Sequence, residues 1–463
     1  MEYRIEHDTL GEVKVPADHM WGAQTQRSSE NFKIGARMPE EIIHAFAVLK
    51  KCTALANLAE GKLSEEKAKV IAEACDEILA GKWNGEFPLV VYQTGSGTQS
   101  NMNMNEVVAH IANAKLEAVG SETRIHPNDD VNMSQSSNDT FPTAMHVAAV
   151  SVLHRCLYQP LAELIATFHK KSEEYMHVVK IGRTHVQDAV PLTFGQEVSG
   201  WTTMLEKCQH MIEASEKYLL GLAIGGTAVG TGLNAPKDFG TRVSAEIAKE
   251  TGLPFVSEEN KFYALTGRDD FVFAHGALEA LAMDCMKIAD DLRLLAGGPR
   301  AGLGELTIPA NEPGSSIMPG KVNPVIAEVL DQACYQVIGN DLAVSMGVEN
   351  GQFELNVMEP VMAFNMFNSM KYMTNAVNTF VDKLLIGLEP NREQCQKWLD
   401  NSVGVVTALL PHIGYENSAM LAKEAYNTGK PIRQVIMEKG LLSREKMEHI
   451  LSPRQMTTPG IAE

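Results

Sequence analysis

Apolar side chains recur at helical spacing through most of this sequence, and that periodicity restricts the fold more than any other feature does. One near-heptad stripe consists of Ile42, Phe46, Leu49, Thr53 and Ala56. Two further stripes consist of Met145, Ala149, Val152, Cys156 and Leu157, and of Met283, Met286, Ala289, Leu292 and Leu295. Strand-like alternation is rare and short, mainly near residues 10–16. The sequence therefore predicts an all-α fold in which each stripe is buried.

The length and the helix pattern together predict several domains. A chain of 463 residues is longer than one ordinary hydrophobic core, so two or three domains are expected. The middle contains helix patterns long enough to form a bundle, including Val325 to Met346, where Pro324 is placed for the first turn. Long helices with apolar stripes on more than one face favour oligomerisation, because one chain cannot cover every stripe.

Composition excludes several classes of function. The formal net charge of −18 disfavours nucleic acid as a partner, and a site for a dianion would need local positive charge and backbone donors. The seven cysteines are scattered without a Cys-x-x-Cys, which argues against structural zinc, iron–sulfur clusters and disulfides and favours a reducing compartment. Residues 1–8 contain no apolar signal region, and no stretch matches a membrane span. We expect a cytoplasmic protein with no membrane partner.

A glycine-rich run at residues 225–232 superficially resembles a phosphate-binding loop. It lacks the Lys-Ser/Thr ending and does not follow a clear buried strand, so we interpret it as a helix terminus and tight turn.

Two polar clusters lie in the first third of the chain, where helical periodicity lapses. Residues 93–106 combine glycines with hydroxyl and amide side chains, which suit either a carboxylate at a helix start or simple helix capping. Residues 126–139 place His126 beside Asp129 and Asp130, but no second histidine stands at metal-ligand spacing. We favour anion or helix-start binding there. The trio at residues 136–138 would orient a carboxylate or cap the following helix.

Two further clusters carry candidate proton-transfer groups. Residues 182–189 contain His185, which is either structural or a base oriented by a carboxylate. Residues 313–324 are too rich in proline and glycine for regular structure and predict a loop. Ser315 in that loop is a poor base unless positive charge or backbone donors activate it, and Lys321 is the cation of the same loop.

The four clusters in this order resemble the class II fumarases, the metal-independent branch of the fumarase/aspartase superfamily. The resemblance extends from Gly11 to the end of the chain. It implies an all-α fold of three domains, which we place at residues 1–135, 136–392 and 393–463. It also implies a homotetramer in which the central helix bundles associate and three subunits contribute to each active site.

The resemblance also implies residue roles. Ser315 would remove the C3 proton of malate, and His185, assisted by Glu328, would handle water or hydroxide on the opposite face. Residues implied around the substrate carboxylates are Ser96, Gly97, Thr98, Ser136, Ser137, Asn138, Thr184, Ser316, Lys321, Val322 and Asn323. A second dicarboxylate site is implied at His126, Pro127, Asn128 and Asp129. No metal and no cofactor are implied.

Two alternatives remain within the superfamily. Residues 323–328, 353–360 and 456–460 are closer to the aspartate ammonia-lyases, whereas the upstream, substrate-facing clusters are closer to the fumarases. We therefore favour fumarate hydration over aspartate deamination. The superfamily also includes lens crystallins with a structural role, but Ser315, His185, Lys321 and Asn323 are all present, which favours an enzyme.

Overall fold

The computed structural model describes residues 2–461, and most of them are helical. The α-helices are α1 (Ala23–Asn31), α2 (Glu40–Ala59), α3 (Glu65–Leu79), α4 (Thr98–Ala118), α5 (Ser137–Val152), α6 (Tyr158–Glu174), α7 (Phe194–Leu219), α8 (Phe239–Thr251), α9 (Lys261–Thr266), α10 (Asp269–Leu295), α11 (Val325–Glu349), α12 (Glu359–Phe380), α13 (Arg392–Asn401), α14 (Leu410–Thr428), α15 (Ile432–Lys439), α16 (Arg444–Ile450) and α17 (Pro453–Thr457). The predicted all-α class is confirmed.

The strands are short and pair two by two. They are β1 (Tyr3–Asp8), β2 (Gly11–Pro16), β3 (Val179–Thr184), β4 (Gln187–Thr193), β5 (Gly221–Leu222), β6 (Val256–Ser257), β7 (Leu306–Thr307) and β8 (Glu389–Pro390). β5 and β6 are parallel, and the other three pairs are antiparallel. The alternation near residues 10–16 is thus one arm of an N-terminal hairpin.

The predicted stripes are largely buried, with two exceptions. The stripe on α2 is inaccessible to solvent or nearly so along its whole length. Cys156 is exposed, because it lies in a π-helical turn at Leu153–Leu157 where the wider spacing rotates the side chains. Met283 is also exposed. A spacing of three residues drifts by about 60° per step around a helix of 3.6 residues per turn, so that stripe could not stay on one face.

Contacts divide the chain into two compact units. Unit 1 comprises Met1–Gln159, Cys208–Ala282 and Tyr335–Thr374, and unit 2 comprises Pro160–Lys207, Met283–Cys334 and Asn375–Glu463. In unit 1, α2 packs against α3, α5 and α8. In unit 2, Ile181 of β3 joins the buried core of the C-terminal helices. The three predicted domains stay a prediction.

Helix α2 has the length and apolar composition of a membrane span, but it is mostly buried inside the protein. Among residues 2–461 it is the one helix that is long and apolar enough to cross a membrane, and 72% of its most apolar window is buried inside the protein. A core helix passes the same test, so α2 is weak evidence for a membrane span.

Candidate functional site

The loop before α4 depends on two glycines. A side chain at Gly95 would place its Cβ 1.3 Å from the carbonyl oxygen of Val357, so only glycine fits there. Gly97 caps α4 with φ of 69°, and an added Cβ would lie 1.9 Å from the ring of Phe141. The backbone at residues 95–97 is therefore held against its neighbours in a single conformation.

The structure joins the first two polar clusters through hydroxyl groups. Ser96 Oγ lies 3.0 Å from Thr98 Oγ1, and Thr98 Oγ1 lies 2.9 Å from Ser137 Oγ. Thr98 begins α4 and Ser137 begins α5, so the N-termini of two helices meet at this chain of hydroxyls. Helix N-termini and hydroxyls attract carboxylates, which makes this group a candidate anion site.

The other members of the trio have structural partners. Ser136 caps α5, because its hydroxyl accepts the backbone N–H of Asn138 at 3.2 Å. Its own N–H donates to Asp139 Oδ1 at 2.9 Å, which completes a capping box. Asn138 Nδ2 donates to the carbonyl of Ala228 at 2.8 Å. Ser136 therefore caps the helix, while a carboxylate-orienting role for Ser137, which lies in the chain of hydroxyls, stays a prediction.

The glycine-rich run binds an internal carboxylate. The backbone N–H groups of Gly225 and Thr227 donate to Asp139 Oδ2 at 3.0 Å and 2.9 Å. Burial raises the pKa of Asp139 to about 6, although these backbone donors oppose the rise. The run lies between β5 and α8 as a series of tight turns, and this cradle is filled by the side chain of Asp139.

His185 lies at the tip of the β3–β4 hairpin. Thr184 pairs with Gln187, so His185 and Val186 form a two-residue turn with φ values of 55° and 61°. Both φ values are positive, as this kind of hairpin turn requires, although glycine, asparagine and aspartate are the usual residues. A β-branched valine in this conformation is strained, and such strain concentrates at functional sites. Thr184 and His185 are both exposed.

A buried ion cluster supports this hairpin. Arg183 forms two parallel hydrogen bonds of 2.9 Å to the carboxylate of Glu305, which is fully buried. Lys180 lies 3.2 Å from the same carboxylate and 2.8 Å from Glu197. Glu305 precedes β7 and the segment that leads to Ser315, so the cluster attaches the hairpin to the stem of that loop.

The segment from 313 to 324 is a loop, as predicted, and its own backbone surrounds Ser315. The hydroxyl oxygen of Ser315 accepts the N–H groups of Ile317 at 3.2 Å and Met318 at 3.0 Å. The side chain of Asn323 donates to the carbonyl of Gly314 at 2.7 Å. Two aligned donors stabilise negative charge on an oxygen, which is the activation that a serine base requires.

The remaining residues of this region are open to solvent. Ser316, Lys321 and Val322 are exposed, and no carboxylate of residues 2–461 forms an ion pair with Lys321. Glu328 is half-buried in the first turn of α11. Within the described part of this chain, no hydrogen bond or ion pair joins Glu328 to His185, so their partnership stays a prediction.

The His126 segment borders a separate cavity in unit 1. His126, Pro127 and Asn128 line a cavity of about 410 Å³ together with His7, Glu6 and other residues. Asp129 is exposed outside it, 3.3 Å from His126 Nδ1.

The electrostatics of this cavity are mixed. Burial would raise the pKa of Glu6, but hydrogen bonds from His110 and Arg4 hold it at about 2. Glu6 therefore stays ionised, and the basic side chains that line the cavity are the histidines His7, His110 and His126. A second dicarboxylate site here stays a prediction.

Sequence reasoning missed several buried charged residues near these groups. They are Lys50, Lys180, Arg268, Glu305 and Glu359. A signal existed for Lys50, because it interrupts the apolar stripe between Leu49 and Thr53. No local signal marks the others, since their partners are distant in sequence. Among residues 2–461, no group of three or more histidine, cysteine, aspartate or glutamate side chains has metal-site geometry.

Comparison with known proteins identifies the family. A family model described as lyase matches residues 11–339, and one described as fumarase C C-terminus matches residues 405–458. Class II fumarate hydratases from Bacillus cereus and Bacillus subtilis are each 56% identical to this chain, over 99% of it and 100% of the relative.

Solved structures agree with these relatives. A class II fumarase from Schistosoma mansoni superposes with a TM-score of 0.95 at 40% identity, over 98% of this chain and 99% of that one. A fumarate lyase:delta crystallin from Brucella melitensis, bound to cobalt, superposes with a TM-score of 0.94 at 40% identity, over 99% and 100% of the two chains. Full-length similarity at this level leaves one assignment, and the chain belongs to the class II fumarate hydratase family of lyases.

Proposed function

We propose that this protein catalyses the reversible hydration of fumarate to malate. The observation that carries the proposal is the Ser315 hydroxyl, which accepts two backbone N–H groups in the same loop as the cation Lys321. The full-length similarity to class II fumarate hydratases supports the choice of substrate.

Proton removal from malate is the difficult step in this mechanism. The C3 proton is weakly acidic, and its loss moves charge onto the neighbouring carboxylate as an aci-carboxylate. Ser315 takes the proton as an alkoxide that the N–H groups of Ile317 and Met318 stabilise. Lys321 stabilises the developing negative charge, because a preorganised cation acts most strongly where charge appears in the transition state. His185 protonates the departing hydroxide on the opposite face, which gives anti elimination.

The proposed substrate contacts fall into two sets, which are the loop at residues 313–324 and the segments that carry the Ser96, Thr98 and Ser137 hydroxyls. The proposed carboxylate contacts are Ser96, Gly97, Thr98, Ser136, Ser137, Asn138, Thr184, Ser316, Lys321, Val322 and Asn323. The chain of hydroxyls from Ser96 to Ser137 supports this role, because the N-termini of α4 and α5 meet there. Ser136 and Asn323 act through their backbone or by holding other groups, because their side chains already have internal partners.

A homotetramer with shared active sites is part of the proposal. Long helices of this chain expose large apolar side chains at Tyr218, Phe273, Met283, Leu294, Val329, Tyr335, Leu342 and Met346. Exposed apolar stripes on long helices favour association, because burying them removes apolar surface from water. We place the enzyme in the cytoplasm on the expectation drawn from its sequence.

Aspartate deamination is the competing activity. Its support is the aspartase-like segment at residues 353–360, in which Glu359 is buried behind Gly95 and bonded to Arg268. The relatives described above are named fumarate hydratases, so this alternative is not favoured. Malate and aspartate turnover should be compared directly, by fumarate absorbance and by ammonia release. Faster release of ammonia from aspartate would reverse the assignment.

Substitutions at two neighbouring serines test which residue accepts the proton. Ser315→Ala removes the base but leaves the carboxylate contacts, so kcat should fall by a factor of about 10²–10³ or more while dicarboxylate binding changes little. Ser316→Ala is the matched control and should be much milder, since Ser316 is exposed beside the base. Near-normal turnover in both variants would eliminate the serine base and leave His185 as the leading candidate.

A further inference from the structure

Lys50 is a fully buried lysine that the proposed mechanism does not use. It lies in the middle of α2 with no solvent exposure. Its Nζ donates to Asn101 Oδ1 at 2.7 Å, Gln135 Oε1 at 2.9 Å and Asn132 Oδ1 at 3.0 Å. No carboxylate of residues 2–461 forms an ion pair with it. A buried cation held by three neutral amides is costly, so its retention requires an explanation.

The surrounding amides are oriented so that they require an ammonium ion. The Gln135 amide NH₂ donates to the carbonyls of Val131 and Met133, each at 3.0 Å, which turns its oxygen towards Lys50. The Asn132 NH₂ donates to the Gln135 carbonyl at 3.3 Å, and the Asn101 NH₂ donates to Asn132 Oδ1 at 3.1 Å. Three oxygens facing one nitrogen need three protons, which only the charged form of lysine carries.

Burial makes this ammonium easy to deprotonate. Burial lowers the pKa of Lys50 to about 7, against opposing attraction from Asp139 and Cys75. These are the ionisable groups that face it from the helices packed around it: Asp139 lies on α5 and Cys75 lies on α3, while α4 and the 132–135 segment contribute amides. Because burial raises the pKa of Cys75 to about 12, that thiol stays neutral near pH 7.

The amides that hold Lys50 belong to the two helix starts at the candidate anion site. Asn101 lies in the first turn of α4, and its N–H donates to the carbonyl of Gly97 at 3.0 Å. Gln135 immediately precedes Ser136 and the start of α5. Asn101 Oδ1 also accepts the hydroxyl of Thr140 at 3.1 Å, which connects α4 to α5 directly. Lys50 is the group common to α2, α4 and the segment before α5.

We propose that Lys50 is a positioning residue that holds the starts of α4 and α5 together, so that Thr98 and Ser137 bind a substrate carboxylate only while its ammonium is intact. The inference rests on the proposed function, because it assigns carboxylate binding to those hydroxyls. Loss of one proton turns a lone pair of the Lys50 nitrogen towards one of the three amide oxygens, and this repulsion separates the two helix starts. Dicarboxylate binding accordingly weakens as pH rises through the range in which Lys50 titrates.

The test uses succinate as an unreactive dicarboxylate and measures its inhibition constant against malate across pH. In the wild-type protein the constant should rise on the alkaline side of about pH 7. Lys50→Met should raise it about tenfold or more at acidic pH and abolish the alkaline rise. Lys51→Met is the matched control. Lys51 is partly exposed and pairs with Asp76 and Glu250 at 2.8 Å, so its loss should leave both the constant and its pH profile unchanged.

A second variant tests the titrating group. Asn132 Oδ1 already accepts three N–H groups, from Lys50 at 3.0 Å and from Asn101 and Asn105 at 3.1 Å each. Asn132→Asp keeps the shape and places a negative charge beside the ammonium, so the alkaline rise should move up by about one pH unit or more.

Three outcomes decide the inference. A folded Lys50→Met variant with wild-type succinate inhibition at every pH would overturn it. If the alkaline rise of the inhibition constant stays at the same pH in Asn132→Asp, the inference is also overturned. The Asn132→Asp variant alone decides the inference if Lys50→Met lacks the circular dichroism of a folded protein. Malate turnover by the wild-type protein is measured in the same preparations. Its absence would refute the proposed function, whereas normal turnover with an unchanged Lys50→Met would refute only the role of Lys50.

Discussion

Replacing Arg268 with methionine should destabilise this protein in a pH-dependent way. Arg268 and Glu359 form a buried ion pair, with Nε and a terminal nitrogen of Arg268 at 3.0 Å and 2.6 Å from Glu359 Oε1. Glu359 Oε2 is buried and accepts no hydrogen bond from residues 2–461. The N–H of Glu359 donates to the carbonyl of Gly95 at 2.9 Å, so the pair also supports the loop that carries Ser96 and Thr98.

The magnitude follows from the protonation of Glu359. Burial raises its pKa to about 7, although Arg268 opposes the rise. Without Arg268 the pKa rises further. A carboxyl group whose pKa is higher in the folded than in the unfolded state loses stability as pH rises through the folded value. The loss should be about 1–3 kcal/mol near pH 5.5, where Glu359 is neutral and the main cost is unpaired carbonyls. It should reach about 2–4 kcal/mol near pH 8, because each pH unit above the wild-type pKa adds up to about 1.4 kcal/mol once the buried carboxylate has lost its partner.

Thermal unfolding followed by circular dichroism at fixed protein concentration measures this difference. With about 2 °C per kcal/mol for a unit of this size, Tm should fall by several degrees more near pH 8 than near pH 5.5. The double variant Arg268→Met, Glu359→Met should recover much of the loss, because apolar replacement of a whole buried pair is often neutral.

Equal losses at the two pH values would refute the reasoning, because they would show that Glu359 does not become an uncompensated charge. A double variant as unstable as Arg268→Met alone would show instead that the main effect is the loss of packing around residue 268.

Three further predictions concern the candidate site. Gly97→Ala should cost about 1–3 kcal/mol and raise KM, since its Cβ would meet Phe141 at a φ of 69°. Gly85→Ala, whose Cβ meets nothing within 4 Å, should do neither, and unfolding and steady-state kinetics compare the two variants. Mixing inactive Ser137→Ala and His185→Ala proteins should restore some activity if one site takes residues from different subunits, and no recovery after verified subunit exchange would count against sharing. Dialysis against a chelator should leave malate turnover unchanged, and a loss reversed by a divalent metal would contradict a metal-independent reaction.

Local features of the sequence were enough to predict the main helices and the position of the loop. The stripe from Ile42 to Ala56 predicts α2 because residues three and four apart share one face of any helix. The prolines and glycines at 313–324 exclude regular structure wherever the segment lies. These are properties of neighbouring residues, so they are readable without knowing the fold. The roles of Ser315 and His185 came from the resemblance to the family, and they stay predictions.

Contacts between distant residues were decided only by the tertiary structure. Thr98 meets Ser137, and Lys50 meets Asn101 and Gln135, across separations that no local pattern encodes. The residue types permitted each of these pairs, but a serine that caps a helix and a serine that lies in an anion site look the same in sequence. Which of these two roles a serine takes depends on how α2, α4 and α5 pack. That packing is the sum of many weak contacts over the whole core.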